Sequence, residues 1–507
     1  MIRTKRSRQR AQALVVCAWR SAKNMDGIPS QVIWIIAIGL VVIVAVVFFK
    51  IRGDPQWGFK DVVKNPDYWD AASQARREAD EAAEAAKNWS GERVASAARH
   101  FVLEVSTSRE AWGEAQILRE LGQRTHPAIL KLLGDEDLYD RLVKPTGEDL
   151  LPEAPFNRAC DILGDVPPKE AVAALAPFLN DPSEQIRKDA ALAIAKTGAA
   201  EIIPHVRKAF SDTDEYVRSY ALMGLEFSLN RDGLAETVPG ELFSDVKHLL
   251  EKGHNSDKAA DILFGFDSEE AKEFFLSSEV FSADSRIVHE VLETLANAKV
   301  PVQRELLLRL ISALDTSDLE YPRTYALGEA LRLLGQMQNP EDREFLSARL
   351  THSEDRVAEG AAAGLLCSHG LEGFEKRIWE SEEKSGYDSL PKHQRFYSAV
   401  FMFDAEINNG GLAQYFLNSS ADNWRDALAG LEAMGSKDRL AVVREAISLF
   451  GSDGPSENRD KRQDQLSKLY RKNDSIFDAL ESRYYDSDEV VEVLATRFVL
   501  ANPNRFR

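Results

Sequence analysis

The chain has 507 residues, 44% of them hydrophobic, and a formal net charge of −19. That leaves room for two or three domains and excludes a wholly disordered polypeptide. Residues 1–54 hold nine Lys/Arg against two Asp/Glu, residues 391–507 hold 16 against 18, and the stretch between them carries −24. A body that acidic repels phosphate backbones, so no direct nucleic-acid binding is expected and a basic protein partner is the natural complement.

In chain order, residues 1–31 form a basic tail. Residues 32–49 follow as an uninterrupted apolar run of 18 residues, about 27 Å long as a helix. Trp34 near one end and Lys50 and Arg52 past the other suit the two interfaces of a bilayer. Phe48, Phe49 and Lys50 offer no signal-peptide cleavage site. The expectation is a single transmembrane helix and a single-pass membrane protein. Arg3, Lys5, Arg6, Arg8, Arg10, Arg20 and Lys23 precede the run, whereas Lys50, Arg52, Lys60 and Lys64 follow it. This places the N-terminus in the cytoplasm and the large domain outside. Translation from Met25 removes all seven preceding charges and reverses that topology.

Residues 50–107 read as a linker with an Ala/Glu-rich helix over 66–99. Tyr68, Ala72, Ala75, Ala79, Ala82, Ala86 and Trp89 alternate four- and three-residue steps, a heptad seam that suits a stalk or dimerisation through 66–99. A single helix packed on the next domain, or solvated, is the preferred reading, because alanine buries little area. Cys17, Cys160 and Cys367 have no CxxC spacing and form neither a disulfide framework nor a zinc site. Cys160 and Cys367 fall in apolar helical patterns as buried thiols.

Internal repetition governs residues 108–370. Tyr216-Val217-Arg218-Ser219-Tyr220-Ala221-Leu222 recurs as Tyr321-Pro322-Arg323-Thr324-Tyr325-Ala326-Leu327, and Asp181 leading to Arg187 matches Asp212 leading to Arg218. Gly122, Gly164, Gly198, Gly335 and Gly370 end many copies as candidate helix C-caps. Arg187 and Arg218 are placed to pair with the Asp of a neighbouring repeat. These motifs resemble HEAT-type helical repeats, in which each unit is two antiparallel helices with an Asp in the turn and an Arg in the second helix. The resemblance implies a solenoid of six or seven units with a concave protein-binding surface.

Residues 371–389 read as a second linker and 390–507 as a compact all-α domain. Phe396, Val400 and Phe403 share a helix face that runs into Asn408-Asn409-Gly410-Gly411, a poor helix continuation because each glycine costs about 1 kcal/mol relative to alanine. A helix, a tight glycine turn and a second helix from near Leu412 are expected. The candidate site is Glu406, Asn408, Asn409, Gly410, Gly411, Gln414, Tyr415, Phe416 and Asn418, read as a structural signature or a partner-binding surface. Asp404 and Glu406 are two apart and do not face each other on a helix, so paired-carboxylate chemistry is not expected. This segment, and the closing Asn502-Pro503-Asn504-Arg505-Phe506, resemble a bacterial domain family of unknown function whose named member is a DNA-mimic protein. That resemblance implies presentation of carboxylates to a nucleic-acid-binding regulator. Asp486, Asp488, Glu489 and Glu492 cluster accordingly, although the domain is nearly charge-balanced.

No phosphate-binding glycine loop, metalloprotease motif or nucleophile elbow is present, and no catalytic residue, metal or cofactor is read from the sequence. The expected class is an all-α, membrane-anchored, non-catalytic protein-binding scaffold. The alternatives are a regulator acting by acidic mimicry and an enzyme with a site in the solenoid groove.

Overall fold

The computed structural model describes residues 67–105, 108–144, 155–253, 256–266, 268–316 and 320–507, and among these every regular element is helical. The single transmembrane helix, the single-pass location and the membrane contact expected of residues 32–49 are corrected here. No helix among the described residues is long and apolar enough to cross a membrane, and 32–49 itself lies outside them. The longest described helix, Lys392–Leu417, carries Lys392, Arg395, Asp404 and Glu406 and breaks inside, which suits a protein core rather than hydrocarbon.

Two compact bodies account for the chain from residue 71 onward, Ala71–Leu334 and Gly335–Arg507. The first opens with α1 (Asp67–Ala86), α2 (Gly91–Leu103), α3 (Ser108–Leu121), α4 (His126–Leu133) and α5 (Tyr139–Val143). Ala79, Ala83 and Ala86 of α1 are buried, so this end of the heptad seam is consumed within the chain. Helix pairs follow: α6 (Pro155–Leu163), α7 (Ala171–Leu175), α8 (Glu184–Lys196), α9 (Ile203–Phe210), α10 (Glu215–Asn230), α11 (Thr237–Glu251), α12 (Ser256–Phe266), α13 (Ser268–Phe275), α14 (Val288–Asn297), α15 (Arg304–Leu314) and α16 (Arg323–Gln336). Helices α6, α8, α10, α12 and α14 pack on one another in turn, while α4, α7, α9 and α11 back them. No single pair encloses its apolar face, and stacking completes the core.

The repeated sequence motif lands at equivalent places. Ala221, Leu222, Ala326 and Leu327 are fully buried, and the tyrosines that open each copy, Tyr216 and Tyr321, are exposed. Gly122, Gly164, Gly198 and Gly370 take left-handed backbone. Gly335 departs from that pattern: it lies inside α16, where an added Cβ would collide with the backbone of Gly364. Close helix packing rather than a cap selects this glycine. Cys367 is buried and Cys160 half-buried, and neither is in a disulfide.

The second body contains α17 (Asp342–Ala348), α18 (Asp355–Ser368), α19 (Phe374–Ser385), α20 (Lys392–Leu417), α21 (Trp424–Ala433), α22 (Asp438–Ser448), α23 (Arg459–Lys472), α24 (Asp478–Tyr485) and α25 (Val491–Ala501). Helix α19 occupies most of the segment read as a linker and places Phe374 and Ile378 in the same core as Phe396, Phe403, Phe416, Tyr484 and Phe506. Helix α18 packs on α25. Several of its aromatic pairs meet edge to face, as for Phe374 and Phe506 at 5.3 Å and 79°, an arrangement favoured by ring quadrupoles.

Candidate functional site

Helix α20 is two helices joined at a kink. Its first half carries apolar residues on one face through Ile407, and its regularity ends at Gly411, with φ 85° and ψ −175°. Only glycine enters that region without strain. The backbone amide of Leu412, freed by the kink, donates to Glu481 Oε1 of α24 at 2.8 Å. Glu481 thus caps the second half from 69 residues away. A Cβ on Gly411 would collide with that carboxylate, and one on Gly410 would collide with the side chain of Gln414.

Glu406 bridges the kink. Its carboxylate accepts from Gln414 Nε2 at 3.0 Å, from Asn418 Nδ2 at 2.9 Å on both oxygens, and from Ser420 Oγ at 3.0 Å. Three side chains beyond the bend are therefore tied to one side chain before it. A carboxylate engaged by this many donors is a cross-link, with little capacity left to act as a general base.

Asp404 belongs to a different network. It accepts from Arg439 at 2.6 Å, from the Tyr484 hydroxyl at 2.5 Å and from Asn408 Nδ2 at 2.8 Å. Burial, and then the Asp404 carboxylate itself, hold the Tyr484 hydroxyl well above its ordinary pKa, which keeps it a donor. Arg439 also donates to the backbone carbonyl of Glu489. The Glu489 carboxylate in turn accepts from the Ser436 hydroxyl and from the backbone amides of Lys437, Asp438 and Arg439 at the start of α22. Burial pushes the Glu489 carboxyl up, but these donors outweigh it and hold its pKa below the usual glutamate value.

The far end of the kinked helix is closed by Arg462, which is fully buried. Its guanidinium donates to the carbonyls of Phe416 and Asn418 at 2.8 Å each, to those of Ser456 and Glu457, and to Asp422 at 2.6 Å. Helix C-terminal carbonyls that would otherwise be orphaned are satisfied this way.

Of the candidate residues, the structure brings together Glu406, Gln414 and Asn418. Asn408 lies in the Asp404 network, and Asn409 is half-buried without a side-chain hydrogen bond. Tyr415 and Phe416 are core residues, with Tyr415 edge-on to Phe403 at 4.8 Å. The buried Tyr415 hydroxyl has no hydrogen-bond partner, and burial pushes its pKa up. Ser420, Arg439, Arg462, Glu481 and Tyr484 did not stand out from the sequence, while Asp404 and Glu489 drew notice there only as carboxylates and not for the partners they have. Their partners lie on other helices, and only the Glu/Gln/Asn spacing around the glycines marks the place. An open surface depression of about 550 Å³ beside Trp424 and Gly454 is lined by no residue of the kink. Among the described residues no group of three His, Cys, Asp or Glu side chains is placed to hold a metal ion.

Residues 388–502 match the family of DMP19-like protein. The match covers the kink, the Glu406 and Asp404 networks and Arg462. HEAT repeats match over residues 157–226, a span that holds both Asp–Arg copies. There Arg187 forms a bidentate pair with Asp212 of the next repeat at 2.8 and 3.1 Å and donates to the Asp181 carbonyl at 2.9 Å. Arg218 instead donates to the Asp212 carbonyl. Asp181 accepts from the Tyr139 hydroxyl of α5 at 2.8 Å and from the amide of Ser183. No curated protein matches the chain. HEAT repeats together with a DMP19-like domain fit a helical protein-binding scaffold.

Proposed function

We propose that the protein is a non-catalytic scaffold whose stacked repeats hold a protein partner, with the DMP19-like domain supplying a second contact surface. The observation that carries this reading is the consumption of the signature's polar groups inside the fold. Glu406, Gln414 and Asn418 bond one another across the kink, whereas the repeat layer leaves Tyr216 and Tyr321 exposed. Exposed aromatic side chains are enriched where proteins bind proteins. HEAT-repeat folds are typically non-catalytic.

A photo-crosslinking residue at Tyr220, in the α10 layer, tests this in the full chain against one at Lys208 on α9. A discrete protein adduct from position 220 and none from 208 is the expected result. Equal adducts from both, or none from either, would sink the scaffold reading.

The DMP19-like match favours a second reading, in which this domain binds a nucleic-acid-binding protein by acidic mimicry. Against it, Glu489 of the C-terminal acidic cluster is engaged at the start of α22 rather than displayed. Mimicry predicts that about 0.5 M salt abolishes the crosslink, and an apolar contact predicts that it persists.

A further inference from the structure

The two copies of the tyrosine motif share a pattern of exposed tyrosine and buried Ala-Leu but differ in what surrounds them, Tyr216 lying inside α10 and Tyr321 just before α16. In the first copy the Tyr220 ring already carries a cation of its own chain, Lys188 Nζ at 4.6 Å from the ring centroid. In the second copy, three rings meet where α14 approaches α16. His289 lies 5.2 Å from Tyr325 at 73°, Tyr325 lies 5.4 Å from Tyr321 at 81°, and His289 lies 6.4 Å from Tyr321 at 67°. Tyr321 is the outermost ring, 68% exposed.

Carboxylates lie within electrostatic reach of these rings. Desolvation raises the Tyr321 hydroxyl pKa, and the charges of Glu290, Asp257 and Glu293 with the Tyr325 hydroxyl raise it further. His289 Nε2 lies 3.7 Å from Glu293. Residues 256–334 hold 15 Asp/Glu against 8 Lys/Arg. An exposed electron-rich ring face over a negative field attracts a cation, and a planar guanidinium both stacks on the ring and pairs with carboxylate.

We infer that the corner of Tyr321, His289 and Tyr325, beside Glu293, receives an arginine side chain presented by the protein partner. This rests on the scaffold reading above and narrows it to an arginine-bearing segment.

The test uses the full chain and a fluorescent nonapeptide of sequence Gly-Ser-Arg repeated three times, with a citrulline version of the same peptide as the uncharged control. The arginine peptide is expected to bind and the citrulline peptide not to. Tyr321→Ala should weaken binding about threefold to tenfold, the range of one desolvating cation–ring contact. Tyr321→Phe, which keeps the ring, should stay within about twofold of the parent. Because Tyr321 is largely exposed, its replacement leaves the repeat core intact. Absence of arginine-peptide binding, equal binding of the citrulline peptide, or an unchanged affinity in Tyr321→Ala would each overturn the inference. A crosslink at position 220 that survives Tyr321→Ala would then leave the scaffold reading standing without the arginine corner.

Discussion

The repeat body and the C-terminal body both join helices with arginine and carboxylate groups, yet they distribute them differently. In the repeats each tie spans one junction: Tyr139 to Asp181, then Arg187 to Asp212. In the C-terminal body the ties converge on one bent helix: Glu481, Arg439 and the fully buried Arg462 reach it from other helices, and Glu406 bridges its own bend. A tie that serves one junction fails locally, because neighbouring repeats keep their own contacts. A network that satisfies one kink fails as a unit, because each lost partner strands buried polar groups.

The sharpest way to break that comparison is Arg462→Met. It strands the carbonyls of Phe416 and Asn418 and is expected to cost about 3–5 kcal/mol. Hydrogen exchange should accelerate throughout residues 412–423 and in the facing helices α23 and α24. Protection lost only beside residue 462 would contradict a cooperative network.

Gly411→Ala comes next, at about 2 kcal/mol. The substitution meets both a positive φ and the Glu481 carboxylate. Its signature is faster exchange at the Leu412 amide, and the double change Gly411→Ala with Glu481→Ala should recover part of the loss by removing the clash. Additive losses in that double mutant would place the strain elsewhere.

Arg187→Ala should cost about 1–2 kcal/mol, with exchange increasing at the α8–α10 junction alone. The Arg187 hydrogen bond leads the effects that hold Asp212 below its ordinary pKa. A depressed carboxylate stabilises the fold above the unfolded-state value of about 3.9 and loses that contribution as pH falls through the folded value. The stability gap between parent and Arg187→Ala should therefore close on acidification below about pH 4. A gap that widened there would reverse the assigned sign.

Glu382→Gln is the smallest expected effect and has the opposite sign. Burial raises the Glu382 carboxyl pKa despite the hydrogen bond from Ser398. Its charged form is thus disfavoured in the fold at neutral pH, a penalty that fades as pH falls toward the ordinary carboxylate range. The neutral variant should melt slightly higher than the parent at pH 7 and at the same temperature near pH 4. A lower melting temperature at pH 7 would mean that the Ser398 bond outweighs desolvation.

The helical character of both bodies was legible in the sequence, because an apolar period of 3.6 buries one face whatever lies opposite. The alanines and leucines of the duplicated tyrosine motif were readable on the same ground. The Arg187–Asp212 pair was readable because the Asp–Arg motif recurs at a fixed offset, so spacing along the chain stands in for distance, whereas the bond from Tyr139 to Asp181 was not. Gly335 misled for a physical reason: a glycine after an apolar run serves either a left-handed cap or a close helix crossing, and only the neighbouring Gly364 distinguishes the two. The run at 32–49 lies outside the described residues, and no described helix supplies the expected span.

What the sequence by itself determined is local: helices, their apolar faces, the repeat register and the break at Gly410-Gly411. Each follows from backbone propensity and periodic burial within a few turns. The tertiary structure decided which helix supplies each missing partner. Glu481 reaches Leu412, Arg439 and Tyr484 reach Asp404, and Arg462 reaches Phe416. A buried amide or carboxylate must be satisfied by some donor or acceptor, but the obligation names no residue. Packing brings side chains 35 to 80 positions apart to within hydrogen-bonding distance, and only that packing assigns the partner.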